Sequence, residues 1–181
     1  MNSVVDDLIA AVEVLFDRDR RDNALMRPLR LLMRYVPVPW VFVLAYLCGV
    51  GLEYALPIRP AVVQFYAVDV AGGALMLAGI TLAGWGWLTF RRARTTTVPG
   101  QASARLVTWG PYRYSRNPMY VGLSVMYVGE AGLLHQIWPV LLLLLVIAYL
   151  DRIVIPLEER KLREVFEEEY ERYRSQVRRW V

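Results

Sequence analysis

The apolar residues of this chain are gathered into long blocks separated by arginine-rich connections, not scattered at the spacing of a surface helix. Blocks of that length suit lipid, so the pattern predicts an all-α fold: a polytopic membrane helix bundle of about four transmembrane helices. Val38 to Leu56 is the first candidate crossing, apolar except for Glu53 near its far end. Tyr66 to Phe90 is the second, with small residues four apart (Ala74 and Ala78, Gly79 and Ala83) that let another helix approach closely. Met119 to Leu134 and Ile137 to Leu150 follow, joined only by His135 and Gln136, and read as a tight antiparallel hairpin. As helices they rise only about 24 and 21 Å, which predicts that the second extends through Ile155.

Composition excludes several other classes. Hydrophobic residues make up 56% of the chain, and a net charge of +4 rests on arginine, with Lys161 the single lysine. The arginines flank the apolar blocks, where they hold a cytoplasmic face and attract anionic headgroups, so nucleic acid is not the expected partner and membrane lipids are. One cysteine, Cys48, allows neither an internal disulfide nor a cysteine-built metal site, and no metal is expected. The one histidine, His135, falls in the polar break of the hairpin and reads as an interfacial residue. The arginine-for-lysine bias points to a GC-rich bacterial genome, hence to an inner membrane.

Both ends of the chain carry amphipathic patterns. Val5, Leu8, Ile9, Val12, Leu15 and Phe16 share one face, so residues 1–37 read as a surface helix followed by a basic juxtamembrane segment. That start, polar and acidic, does not resemble a cleavable signal peptide. From Pro156 a second amphipathic helix is predicted: proline in its first turn, Glu158 and Glu159 at its positive end, and Glu159 with Arg163 as an i to i+4 pair. The stretch Arg91 to Arg116 holds six arginines and no acid, whereas Pro57 to Phe65 holds only Arg59. The arginine loop is therefore expected in the cytoplasm, and two crossings on either side of it place both termini there as well.

Two segments carry more chemistry than packing needs. GPYRYSRNPMYVG, Gly110 to Gly122, combines arginines, tyrosines, glycines and prolines where the arginine loop enters the third block. Prolines such as Pro118 fix the backbone direction, and Arg113 or Arg116 offers forked donors for a carboxylate or phosphate. The second segment, DRIVIPLEERKLREVFEEEYERY, begins at Asp151. A hairpin whose two helices end on the same side brings both segments together, so that Glu158 or Glu159 can accept hydrogen bonds from a diol or an ammonium beside those arginines.

At these residues the chain resembles the membrane methyltransferases that include isoprenylcysteine carboxyl methyltransferases and phospholipid N-methyltransferases. Gly110, Pro111, Tyr112, Arg116, Asn117, Pro118 and Tyr120 match the first motif of that family. Glu158, Glu159, Leu162, Phe166, Tyr170, Tyr173 and Arg178 to Trp180 match its C-terminal partner. The resemblance spans about residues 66 to 181, within a methyltransferase domain expected over 38–181 whose cofactor-binding half is about 100–181. It implies S-adenosyl-L-methionine as cofactor, with Tyr112, Arg113, Arg116, Asn117, Pro118, Tyr120, Glu158 and Glu159 around it. Arg116 and Asn117 would hold its amino-acid end, Tyr112 and Tyr120 would line its pocket, and the glutamates would bind its polar groups. Arg152 is a candidate for positioning an acidic acceptor, though an ion pair with its neighbour Asp151 accounts for it equally. The acceptor implied is a lipid-like or small apolar molecule bearing a carboxylate, thiol or amine.

Two departures stand out. Asn117 occupies a place where many members have histidine, which removes a histidine acid–base role, and Glu167 occupies one where glycine often follows the phenylalanine. Two other classes share parts of the pattern. Membrane sterol reductases carry a similar arginine-histidine-proline turn but use a nicotinamide cofactor, and a non-enzymatic scaffold can keep the architecture without turnover.

Overall fold

In the computed structural model the residues described are 37–58, 65–93 and 105–181, and every regular element among them is helical. Helices α1 (Val38–Ala55), α2 (Phe65–Ala93), α3 (Pro118–Leu133) and α4 (Trp138–Tyr149) form the apolar body. A 3₁₀ turn, Gly110–Arg113, leads into α3, and a π-helical turn, Leu150–Val154, joins α4 to α5 (Ile155–Gln176). The amphipathic helix expected near the N-terminus lies outside the described residues.

Three helical runs are long and apolar enough to cross a membrane: Val38–Ala55, Tyr66–Ala93 and the continuous run Trp138–Gln176. The last would be about 58 Å long as straight helix, roughly twice a bilayer core, and its charged residues begin in earnest at Glu158. The crossing is therefore the apolar part, Trp138 to Ile155, as the sequence predicts. Helix α3, with 16 residues, is shorter than any of these three runs and lies antiparallel along α2.

Backbone-to-backbone contact joins α2 and α3. A Cβ on Gly79 would lie 2.3 Å from the backbone nitrogen of Met126, and one on Gly129 would lie 2.3 Å from that of Met76, so neither position has room for any side chain. Of the small pairs singled out in the sequence, Gly79 and Ala83 lie at this contact, whereas Ala74 and Ala78 are exposed. Helix α1 packs mainly on α4, where Gly49 meets Pro139.

Polar residues inside the apolar blocks have structural partners. Glu53 Oε2 accepts hydrogen bonds from the backbone N–H groups of Ile137 (3.0 Å) and Trp138 (3.1 Å), and Oε1 accepts from Ile58 N–H (3.2 Å). A carboxylate thus satisfies the unpaired donors at the positive end of α4. Nearby, His135 takes up the left-handed φ of 52° that ends a helix, and its Nε2 lies 2.9 Å from Asp69 Oδ1, tying the hairpin to α2.

At the opposite end the predicted helix start at Pro156 is not a break. Proline lacks an N–H and its ring crowds the carbonyl four residues back, and just before it the helix widens into the π-turn, where Ile155 N–H bonds to Leu150 O. The helix runs through the proline and turns at Glu167, where φ 41° and ψ −114° divide α5 into two arms.

Candidate functional site

Gly110, with φ 66°, lets the chain turn sharply off the arginine loop, and a Cβ there would sit 3.0 Å from Thr89 Oγ1. The following 3₁₀ turn buries Pro111 and Tyr112. The Tyr112 ring meets Phe90 edge-on (5.0 Å between centroids), and its carbonyl accepts from Tyr173 OH at 2.7 Å. Burial pushes the Tyr112 phenol far above its ordinary value, so it stays protonated. Pro118, fully buried, opens α3.

Between Tyr112 and Pro118 the backbone is fixed by the C-terminal residues. Arg116 N–H donates to Arg178 O (2.9 Å), Asn117 Nδ2 donates to Arg179 O (2.9 Å), and Ser115 Oγ both donates to Arg179 O (3.4 Å) and accepts from Asn117 N–H (3.0 Å). The histidine-for-asparagine position therefore carries an amide that bonds a backbone carbonyl.

Charge is concentrated where this segment meets the π-turn and α5. Glu159 is buried, takes hydrogen bonds from Arg179 (Nε to Oε1, 3.2 Å, and Nη2 to Oε2, 2.9 Å) and forms an ion pair with Arg116 (Nη2 to Oε1, 3.2 Å). The i to i+4 pair expected with Arg163 does not form, because Arg163 instead meets Glu171 across the bend (3.0 Å). Arg179 Nη1 also reaches Asp151 Oδ1 (3.1 Å), which accepts from Trp180 Nε1 as well (3.0 Å). These carboxylates hold the Arg179 guanidinium, through hydrogen bonding to Glu159 above all, more firmly protonated than usual.

Glu158, the neighbour of Glu159, has a different environment. Its Oε1 accepts from Tyr120 OH at 2.9 Å, and among the described residues no arginine pairs with it. Burial pushes its carboxyl up to about 7, against the lowering pull of the Tyr120 hydrogen bond and of Lys161. Arg116, finally, gives Nη1 to Tyr170 OH at 3.5 Å, while its Nε is buried and has no partner among the described residues. An unpaired buried donor on a fixed guanidinium can receive a carboxylate or other anion.

Of the residues expected at the site, Tyr112, Arg116, Asn117, Pro118, Tyr120, Glu158 and Glu159 lie on these converging segments, whereas Arg113 and Arg152 are both exposed. Asp151, Tyr170 and Arg179 complete the cluster; the motif match included Tyr170 and Arg179, but nothing in the sequence assigned the three to the site. Eight residues separate Asp151 from Glu159, about 80° out of phase on a regular helix, and the extra residue of the π-turn removes about one step of 100°, which brings them onto one face.

No curated protein and no solved structure matches the chain. A family model described as phospholipid methyltransferase matches residues 68–169, more than half of the chain, from α2 through the first motif segment and into the second arm of α5, ending just before Tyr170. With its apolar crossings and its paired motifs, the chain is a membrane methyltransferase belonging to the phospholipid methyltransferase family.

Proposed function

We propose that the protein transfers a methyl group from S-adenosyl-L-methionine to a lipid-like acceptor at the cytoplasmic face of the membrane. The observation that carries the cofactor reading is Arg116: a guanidinium held by Glu159 and Tyr170 with Nε buried and unpaired among the described residues, which suits the carboxylate of the cofactor's amino-acid end. Asn117 supports that end from the adjacent position, and Tyr112 and Tyr120 supply aromatic surface for an adenine. Both oxygens of Glu159 are committed to arginines, so Glu158 is the carboxylate suited to a ribose diol, an ammonium or the sulfonium charge.

The cofactor supplies a sulfonium-bound methyl, and its passage to the acceptor needs alignment and exclusion of water more than covalent help. Alignment falls to the segment 110–120, fixed at both ends by Tyr173 and by the C-terminal carbonyls. An amine acceptor must also lose a proton. Glu158, poised near neutrality, can take it in place of the histidine that Asn117 replaces. A membrane-borne acceptor reaches the site along the apolar body, and its headgroup meets Arg113 and Arg152 at the exposed edge.

Calorimetry on detergent-purified protein tests the reading. S-adenosylmethionine and S-adenosylhomocysteine are expected to bind in the micromolar range, and Arg116→Ala and Glu158→Gln to weaken both about tenfold or more. Binding of NADPH in their place would make the protein a reductase of the same architecture. Cofactor binding without methyl transfer to any lipid extract would leave a scaffold.

A further inference from the structure

We infer that Arg179 is a positioning residue whose task is to keep Arg116 Nε uncommitted, an inference that rests on the proposed cofactor site. An isolated arginine and carboxylate favour a two-pronged pairing, and on Arg116 the prong that meets Glu159 is Nη2, whose companion on the same edge of the guanidinium is Nε. In the structure that pairing is pre-empted. Arg179 lays its own Nε and Nη2 across both oxygens of Glu159, at 3.2 and 2.9 Å, and leaves Arg116 a single contact through Nη2 at 3.2 Å. The donor that remains, Arg116 Nε, is without a partner among the described residues.

The geometry around Arg179 is built for this competition. Its third nitrogen, Nη1, is held by Asp151 Oδ1 at 3.1 Å, so the guanidinium cannot rotate off Glu159 without breaking a second ion pair. Its carbonyl accepts from Asn117, and the preceding carbonyl accepts from Arg116 N–H, so the backbone of the arginine being positioned is tied to the residue that positions it. Two arginines against Asp151 and Glu159 also leave the cluster balanced, and a ligand carboxylate arriving at Arg116 is not repelled by a surplus of negative charge. Removing Arg179 has a specific consequence beyond lost stability: Arg116 closes onto Glu159 with both prongs and withdraws its free donor.

The test compares two ligands that differ at the amino-acid end. S-adenosylhomocysteine has the carboxylate; 5′-methylthioadenosine keeps the adenosine and thioether and lacks it. Calorimetry on the detergent-purified full chain and on Arg179→Met is expected to show S-adenosylhomocysteine weakened about tenfold or more and 5′-methylthioadenosine changed by less than about twofold. Glu159→Gln combined with Arg179→Met should be no worse than Arg179→Met alone, since Arg116 then has no carboxylate to close on. If Arg179→Met does not fold, Arg179→Lys keeps the charge without the fork and should weaken S-adenosylhomocysteine selectively at an almost unchanged melting temperature. Equal loss for both ligands, or no loss for either, would overturn the inference and leave Arg179 a clamp on the fold. Failure of the unmodified protein to bind either ligand would overturn the cofactor reading itself, and the inference with it.

Discussion

Glu167 holds a backbone conformation, φ 41° and ψ −114°, that a residue with a Cβ adopts only under strain, at the bend that brings Tyr170 and Tyr173 back over the segment 110–120. The family resemblance puts glycine at this position, and the structure gives the physical reason. Glu167→Gly is therefore expected to stabilise the protein by about 1 kcal/mol or more and raise its melting temperature in detergent, whereas Glu167→Ala should not. An unchanged or lower temperature for the glycine variant would show the bend to be unstrained. Glu158 gives a second prediction at this scale. Its carboxyl is raised from an ordinary 4.5 to about 7. The folded protein thus holds this proton more tightly than the unfolded chain, so the stabilisation is complete below about 4.5 and is lost as pH rises through about 7. Melting temperature should fall across that window more steeply in the unmodified protein than in Glu158→Gln, and matching slopes would refute it. Binding of a cationic ligand runs the other way, strengthening as Glu158 ionises. The motif residues were legible because they form a recognisable string, but the unlike environments of Glu158 and Glu159 were not, since they depend on Tyr120 and Arg179 arriving from elsewhere in the chain.

Helices and their boundaries were legible to within a few residues wherever apolar runs met arginine or proline. The helix expected from Pro156 is present, but its join to α4 was not legible: a π-turn costs one residue of register and leaves no signature in hydropathy, yet it joins the two helices into one run and aligns Asp151 with Glu159. Interfaces were partly legible. Small residues four apart flagged α2 as a close-packing helix but not which of its faces does the packing, because Ala74 and Ala78 have the same spacing as Gly79 and Ala83. The structure makes that choice testable. Gly79→Ala and Gly129→Ala each place a Cβ 2.3 Å from a backbone nitrogen of the facing helix and are expected to cost about 1–3 kcal/mol by forcing the helices apart. Ala78→Leu, at an exposed position, should leave the melting temperature within about 1 °C. Equal losses in all three variants would mean that α2 packs through a different face.

At the scale of the whole molecule, charge separates the two ends of the bundle, and that asymmetry predicts which compartment the site faces. The end holding Arg91, Arg92 and the segment 110–120 is the arginine-rich one; the other carries Glu53, Asp69 and His135, all engaged in joining helices. Arginine beside a crossing is retained on the cytoplasmic side, so the cluster around Arg116 should face the cytoplasm and the hairpin turn the opposite compartment. Cys48 is the one native thiol, so a Cys48→Ser background permits single-cysteine mapping without interference. His135→Cys is expected to react with a membrane-impermeant maleimide on intact cells. Arg113→Cys, exposed at the edge of the site, should react only after the membrane is opened. The converse pattern would place the site outside the cell, where S-adenosylmethionine made in the cytoplasm does not reach it, and would count against both the orientation and the proposed cofactor. The expected pattern would instead require the methyl acceptor to present its reactive atom at the inner leaflet, which narrows the acceptor to lipids and apolar molecules that reach that leaflet.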